Sequence, residues 1–143
     1  MNVTSNAATI TTPAGNFYNL QITTNGTCVS TGTINALFDT TAPSAPSMTA
    51  EPAYTQGLSN TVASSVATDT GVKCVEYEYC RNTTNSTSGC TSSGWTGTNS
   101  STFGGLSNGQ IYYYFVRARD TLLNTTAWSA STSSTQDNAA PTG

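Results

Sequence analysis

The stretch Leu106 to Asp120, LSNGQIYYYFVRARD, restricts the fold of this chain more than any other part of it. It opens on a Ser-Asn-Gly turn and then alternates for nearly ten residues. Tyr112, Tyr114, Val116 and Ala118 fall on one face, and Tyr113, Phe115, Arg117 and Arg119 on the other. Period-two alternation in aromatic and β-branched residues specifies a strand, because a helix would scatter the same residues around its axis. The stretch therefore reads as a central strand of an all-β sandwich.

The remaining composition fits strands and excludes several kinds of work. Ser, Thr and Asn dominate the chain, and they favour strands and turns over helices. No apolar run has a helical period of useful length. Charged residues make up 8% and the net charge is −3, so there is no basic footprint for nucleic acid. Histidine is absent, which removes the commonest general base and metal ligand, and with them a catalytic triad or a His-ligated zinc. No apolar run approaches the roughly 20 residues of a membrane span, and Met1-Asn-Val-Thr is no export signal. A secreted protein would carry that signal outside this piece.

Residues 1–38 form a polar, Thr-rich segment with three short strand candidates. These are Ala8 to Thr11, Phe17 to Thr23 and Cys28 to Ile34, separated by Pro-Ala-Gly and Asn-Gly turn signals. Tyr18, Leu20 and Ile22 share one apolar face. So few large apolar residues cannot form a core, so the segment needs support. It is expected to be the end of a preceding β-unit or a strand donated to a neighbour, with Tyr18, Leu20 and Ile22 at the contact.

Two peptides then mark out one domain. Asp39-Thr-Thr-Ala-Pro-Ser and Asp137-Asn-Ala-Ala-Pro-Thr share the pattern Asp-x-x-Ala-Pro-Ser/Thr and stand 98 positions apart. That interval is one immunoglobulin-type sandwich. The pattern predicts a sandwich over 39–136 and a linker at 137–143, cut just as another repeat begins. Its expected strands are Ser47 to Ala50, Thr61 to Ala67, Val72 to Cys80, Ser101 to Phe103, the opening stretch, and a last one from Trp128. On the third, Val75, Tyr77 and Tyr79 face inward and Cys74, Glu76, Glu78 and Cys80 outward.

The residues Leu106-Ser-Asn-Gly, Tyr112, Tyr114, Val116-Arg117-Ala118 and Asp120, followed by Trp128-Ser129, resemble the end of a fibronectin type III domain. Ala67-Thr-Asp69 and Val75-x-Tyr77-x-Tyr79 resemble the versions in repetitive bacterial and archaeal surface proteins. The resemblance covers about 47–135 and implies that the Tyr112 hydroxyl pins the corner before its strand. The chain departs from the family in lacking the tryptophan of the second strand and in carrying cysteines.

Four cysteines in a Thr-rich chain suggest an oxidising, extracellular setting. Cys74 and Cys80 lie on one strand about 20 Å apart, too far to bond. Two pairings remain: Cys80–Cys90 with Cys28–Cys74, or Cys28–Cys80 with Cys74–Cys90. The first would staple the polar return after the third strand and leave Cys28 and Cys74 to link segments or subunits.

Asp39, Asp69 and Asp120 should converge at one pole of the sandwich, with Asp137 in the same place for a following unit. Oxygen ligands gathered at a junction suit Ca²⁺, as in the calcium-stiffened joints of bacterial surface repeats that this arrangement resembles. Glu76 and Glu78 face outward on the strand expected beside that of Arg117 and Arg119, so cross-strand ion pairs are expected between the two strands. Tyr113 and Phe115 share that outer face and mark an expected contact surface. Sequons stand at Asn2, Asn25, Asn82, Asn85, Asn99 and Asn124.

The resulting expectation is a non-catalytic extracellular module that assembles with neighbouring repeats or copies of itself, or adheres to surface glycans. The alternative is a carbohydrate-binding or spacer module of a secreted carbohydrate-active enzyme, which wants exposed aromatic side chains such as Trp95 and Tyr113.

Overall fold

The computed structural model describes residues 16–23, 31–71 and 75–139, and for 16–23 and 31–38 it describes the backbone pairing alone. The chain divides into two compact units, 1–41 and 42–143, so the boundary falls inside the Asp39-Thr-Thr-Ala-Pro junction. Among the described residues every regular element is a strand.

The first unit contains an antiparallel hairpin of β1 (Asn16–Thr23) and β2 (Thr31–Phe38), in a register that sets Leu20 opposite Ile34. The described second strand runs past Ile34, where the residue pattern ends it, to Phe38; residues 28–30 lie outside the described residues. The added residues Leu37 and Phe38 favour an extended, pleated backbone.

The second unit is a sandwich of two sheets. One has the order β3-β9-β8-β5-β6, the other is the pair β4-β7. In chain order these are β3 (Tyr54–Gln56), β4 (Ser59–Ala63), β5 (Val75–Asn82), β6 (Thr91–Thr96), β7 (Ser100–Gly104), β8 (Ile111–Asp120) and β9 (Thr132–Asp137). β8 is the centre of the larger sheet. Its inward residues Tyr112, Tyr114, Val116 and Ala118 join Tyr77 and Tyr79 of β5, Val62 of β4, Phe103 of β7, Ala67 and Leu106 in one buried cluster. Met48 and Val75 pack against its margin.

Four of those core residues are tyrosines, and a buried hydroxyl is costly unless it finds a partner. The Tyr77 hydroxyl accepts from the Ala67 backbone N–H at 2.8 Å, and that of Tyr79 meets Ser64 Oγ at 2.8 Å. The Tyr112 hydroxyl accepts from the Ser107 N–H at 3.0 Å and so holds the turn before β8. The Tyr114 hydroxyl, beside Asn60 and Ser134, is buried and makes no hydrogen bond of good geometry among the described residues. Arg81, at the end of β5, closes the core: its guanidinium lies 5.7 Å from the Phe103 ring and 5.2 Å from that of Tyr112, and it donates to the Gly104 carbonyl at 2.9 Å.

Several boundaries differ from those the residue pattern predicts, and one cause recurs. Ser47 to Ala50 is reduced to a single bridge, Met48 to Ser64. β4 ends at Ala63, because beyond it Asn99 clasps Ser64 from both backbone sides and the Tyr77 hydroxyl takes the Ala67 N–H. The last strand begins at Thr132 instead of Trp128. Between 126 and 129 the hydroxyls of Thr126 and Ser129 accept the Ala118 and Val116 N–H groups that a partner strand would otherwise take. At the end of β4 and before β9, side-chain groups of Asn99, Tyr77, Thr126 and Ser129 take backbone partners that a ladder would otherwise use. The sheet is also not wholly antiparallel, since β3 runs parallel to β9. The chain crosses from the smaller sheet at Met48 to the larger one at Tyr54 while travelling in the direction that β9 also takes.

Cys80 and Cys90 form a disulfide that closes the loop between β5 and β6. Cys28 and Cys74 lie outside the described residues, as do the strand candidate Ala8 to Thr11 and the sequons at Asn2 and Asn25. Reduction of Cys80–Cys90 releases a loop of about ten residues and should lower stability by about 3 kcal/mol. A thermal melt of the Cys80→Ser/Cys90→Ser variant measures this, and an unchanged melting temperature would contradict it.

Burial raises the pKa of Tyr79 and Tyr114 above the ordinary value of 10, an effect that Ser64 partly offsets at Tyr79 and Asn60 and Ser134 at Tyr114. Below about pH 10 both folded and unfolded chains keep these protons, so the contribution is constant. As pH rises above 10 the unfolded chain ionises first, and stability is lost until the folded pKa is passed. Urea midpoints should therefore fall between pH 10 and 12, and less steeply in Tyr114→Phe. Equal slopes would refute the assignment.

Candidate functional site: an acidic pole and an arginine–tryptophan sheet face

The strands of the sandwich run between two poles. At the proximal pole the chain arrives at Ala42, where the Ser44 N–H bonds the Thr68 carbonyl at 2.8 Å, and the loops after β4 and β8 meet. At the distal pole the chain leaves after β9, beside the turns at Gly57 and Ser107–Gly109.

Asp120 ends β8 at the proximal pole and is fully buried. Its Oδ1 accepts from the Leu122 and Asn124 N–H groups at 2.8 and 2.9 Å, and its Oδ2 from Asn124 Nδ2 at 2.7 Å. The tight loop so formed puts Leu123 at φ 69°, a left-handed conformation that a γ-branched side chain rarely adopts. Asp69, in the loop after β4, brings a carboxylate oxygen within 4.8 Å of one of Asp120. Its Oδ1 accepts from the Gly71 N–H at 2.7 Å, while its Oδ2 is buried with no hydrogen-bond partner. Two carboxylates this close repel by about 3 kcal/mol at an effective dielectric of 20. Asp39, in the first unit, is buried and its Oδ1 accepts from the Thr41 N–H at 2.9 Å. Asp137 stands apart from Asp69 and Asp120, at the distal pole, exposed, with its Oδ1 capping the Ala139 N–H.

The outer face of the larger sheet is organised by the register of β5 with β8, which sets Glu76 opposite Arg119, Glu78 opposite Arg117 and Cys80 opposite Phe115. Arg119 Nε lies 2.8 Å from Glu76 Oε2, and Arg117 Nη2 2.6 Å from Glu78 Oε2. Glu78, which alternation places outward, is nearly buried, and Ser92 Oγ donates to its other oxygen at 2.5 Å. The cover is aromatic. Arg117 lies 5.3 Å from the Trp95 ring and 4.5 Å from the Trp128 ring, and Arg119 lies 4.1 Å from Trp95. Trp128 is carried by the segment that fails to form a strand, so its partnership with Arg117 is not readable from alternation.

Farther along this face, Phe115 is buried beside the Cys80–Cys90 bridge, while Tyr113 is half-buried. Phe115 is therefore already covered, and of the two outer aromatics only Tyr113 retains area for a contact. Tyr18, Leu20 and Ile22 lie on β1, whose pairing alone is described. The large apolar residues that are exposed stand elsewhere. Val66, Leu122 and Leu123 are at the proximal pole, and Tyr54, Leu58 and Ile111 are at the distal end.

Replacing Arg117 strands a nearly buried carboxylate and uncovers two indoles, so Arg117→Ala should cost about 2 to 3 kcal/mol. Arg119→Ala should cost about 1 kcal/mol, because Glu76 is more exposed. Chemical denaturation of both variants checks the order, and equal losses would show that burial of Glu78 does not set it.

No protein-family model matches this chain, and no curated protein matches it in sequence.

Proposed function

We propose that this chain is a structural module of an exported, repetitive surface or filament-forming protein, built on a fibronectin type III-like sandwich and working by end-to-end assembly. The observation that carries the reading is the arrangement of the poles. The chain arrives at one and leaves at the other, and all six exposed large apolar side chains among the described residues stand near one end or the other. A unit with different contact surfaces at its two ends assembles head to tail, which gives open filaments where the rotation does not close. The junction pattern at Asp39 and again at Asp137 supports repetition.

The family resemblance is supported by the sheet order β6-β5-β8-β9 opposite β4-β7, and by the Tyr112 hydroxyl on the Ser107 backbone. The Cys80–Cys90 disulfide supports an oxidising and hence extracellular location. Catalysis is no part of the reading. As a carbohydrate-binding module the chain would need free aromatic faces, and both tryptophans are engaged with arginines.

Calcium fits the proximal pole. Asp69 and Asp120 supply hard oxygen donors, one of them without a hydrogen bond, and a divalent cation would relieve their repulsion. In this reading the ion stiffens the loop cluster at that pole.

Electron microscopy of the native assembly, with and without calcium, tests both parts. Filaments or layers are expected, and separate particles under every condition would refute assembly. Calcium should raise the melting temperature of the purified chain and EGTA lower it, with the response lost in Asp69→Asn; a melt indifferent to calcium would remove the metal from the proposal.

A further inference from the structure

We infer that Asn85 is a site of N-linked glycosylation, the one described sequon whose amide the folded sandwich leaves able to carry a glycan. The inference rests on the proposed export of the protein. It goes beyond that reading by separating four sequons that are equivalent in sequence: Asn82-Thr-Thr, Asn85-Ser-Thr, Asn99-Ser-Ser and Asn124-Thr-Thr.

Glycosyl transfer uses Nδ2. The nitrogen forms a bond to C1 of the sugar of a polyprenyl-diphosphate-linked oligosaccharide and gives up one proton. The C1–O bond to the diphosphate breaks, and polyprenyl diphosphate leaves. The product amide keeps one N–H and its carbonyl oxygen. An asparagine therefore accepts a glycan in the folded state only if one amide hydrogen is dispensable and the nitrogen faces solvent.

Asn82 fails the first condition. Its Nδ2 donates to two carbonyls, Ser86 at 2.8 Å and Ser88 at 3.0 Å, while its Oδ1 accepts from the Thr83 N–H at 2.8 Å. It is the internal brace of the loop that the disulfide closes. Asn99 and Asn124 fail the second. Asn99 is half-buried, with Nδ2 on the Ser64 carbonyl at 2.9 Å where β4 ends. Asn124 is half-buried with Nδ2 on the buried Asp120 carboxylate at 2.7 Å.

Asn85 meets both conditions. It is exposed, and its Nδ2 has no hydrogen-bond partner among the described residues. Its one bond is made through Oδ1, which accepts from Ser131 Oγ at 2.8 Å, a role that a glycosylated amide retains. The disulfide, the Asn82 brace and the Ser131 contact hold the loop in shape while leaving this nitrogen outward.

The test uses the folded, oxidised full chain, incubated with a purified oligosaccharyltransferase and its lipid-linked oligosaccharide, with site occupancy read by peptide mass mapping. The reduced, unfolded chain is the control and should be modified at several sequons, which makes the experiment independent of where the native protein resides. Among the four described sequons the folded chain should gain a glycan at Asn85 alone, and Asn85→Gln should gain one at none of the four. No modification of Asn85 in the folded chain, or modification of Asn82, Asn99 or Asn124 with the fold intact, would overturn the inference.

Discussion

Four tyrosines stand where an ordinary sandwich core would carry hydrocarbon, and much of the loop structure follows from accommodating the hydroxyls of three of them. Tyr77, Tyr79 and Tyr112 reach past the sheet to Ala67, Ser64 and Ser107. Each contact ties a loop or a strand end to the centre of the larger sheet, because an unsatisfied buried hydroxyl would cost more than ordering the loop. A core of this kind exchanges some apolar area for fixed loop geometry. That suits a protein with short strands, many hydroxyl side chains and few large aliphatic residues.

The two faces of β8 thus do different jobs with one alternating pattern. The inner face holds the sheets together and positions the loops at both poles. The outer face builds a layer of its own, in which Glu76 and Glu78 neutralise two arginines and the arginines lie against Trp95 and Trp128. Each partner reduces the cost of burying the others: the carboxylate balances the charge, and the indole shields it. The layer secures the edge strand β6 and the irregular 126–131 segment, neither of which has much apolar surface to bury.

The poles differ in character from both faces. At the proximal one Asp120 organises its loop through three accepted hydrogen bonds, and the orphaned Asp69 oxygen nearby leaves that loop cluster polar inside and apolar outside, with Val66, Leu122 and Leu123 exposed. At the distal one the exposed residues are Tyr54, Leu58 and Ile111. In the proposed end-to-end assembly these ends would make the contacts, while the disulfide-closed loop that carries Asn85 lies away from them.

The sequence by itself determined the all-β class, the central place of β8, the inward tyrosines, the cross-strand Glu–Arg pairs and the proximity of Asp69 to Asp120. All of these follow from alternation along a strand and from which ends of antiparallel strands must meet. It did not determine where β4 stops or where β9 starts, nor that Glu78 is nearly buried under Trp95 and Trp128, nor which sequon has a free amide. Those depend on hydroxyl and amide groups of Ser, Thr and Asn choosing between backbone partners far apart in the chain. Periodicity carries no information about that choice. Only the packed tertiary structure makes it, because a side-chain hydrogen bond and a ladder hydrogen bond differ by less than the burial that decides between them.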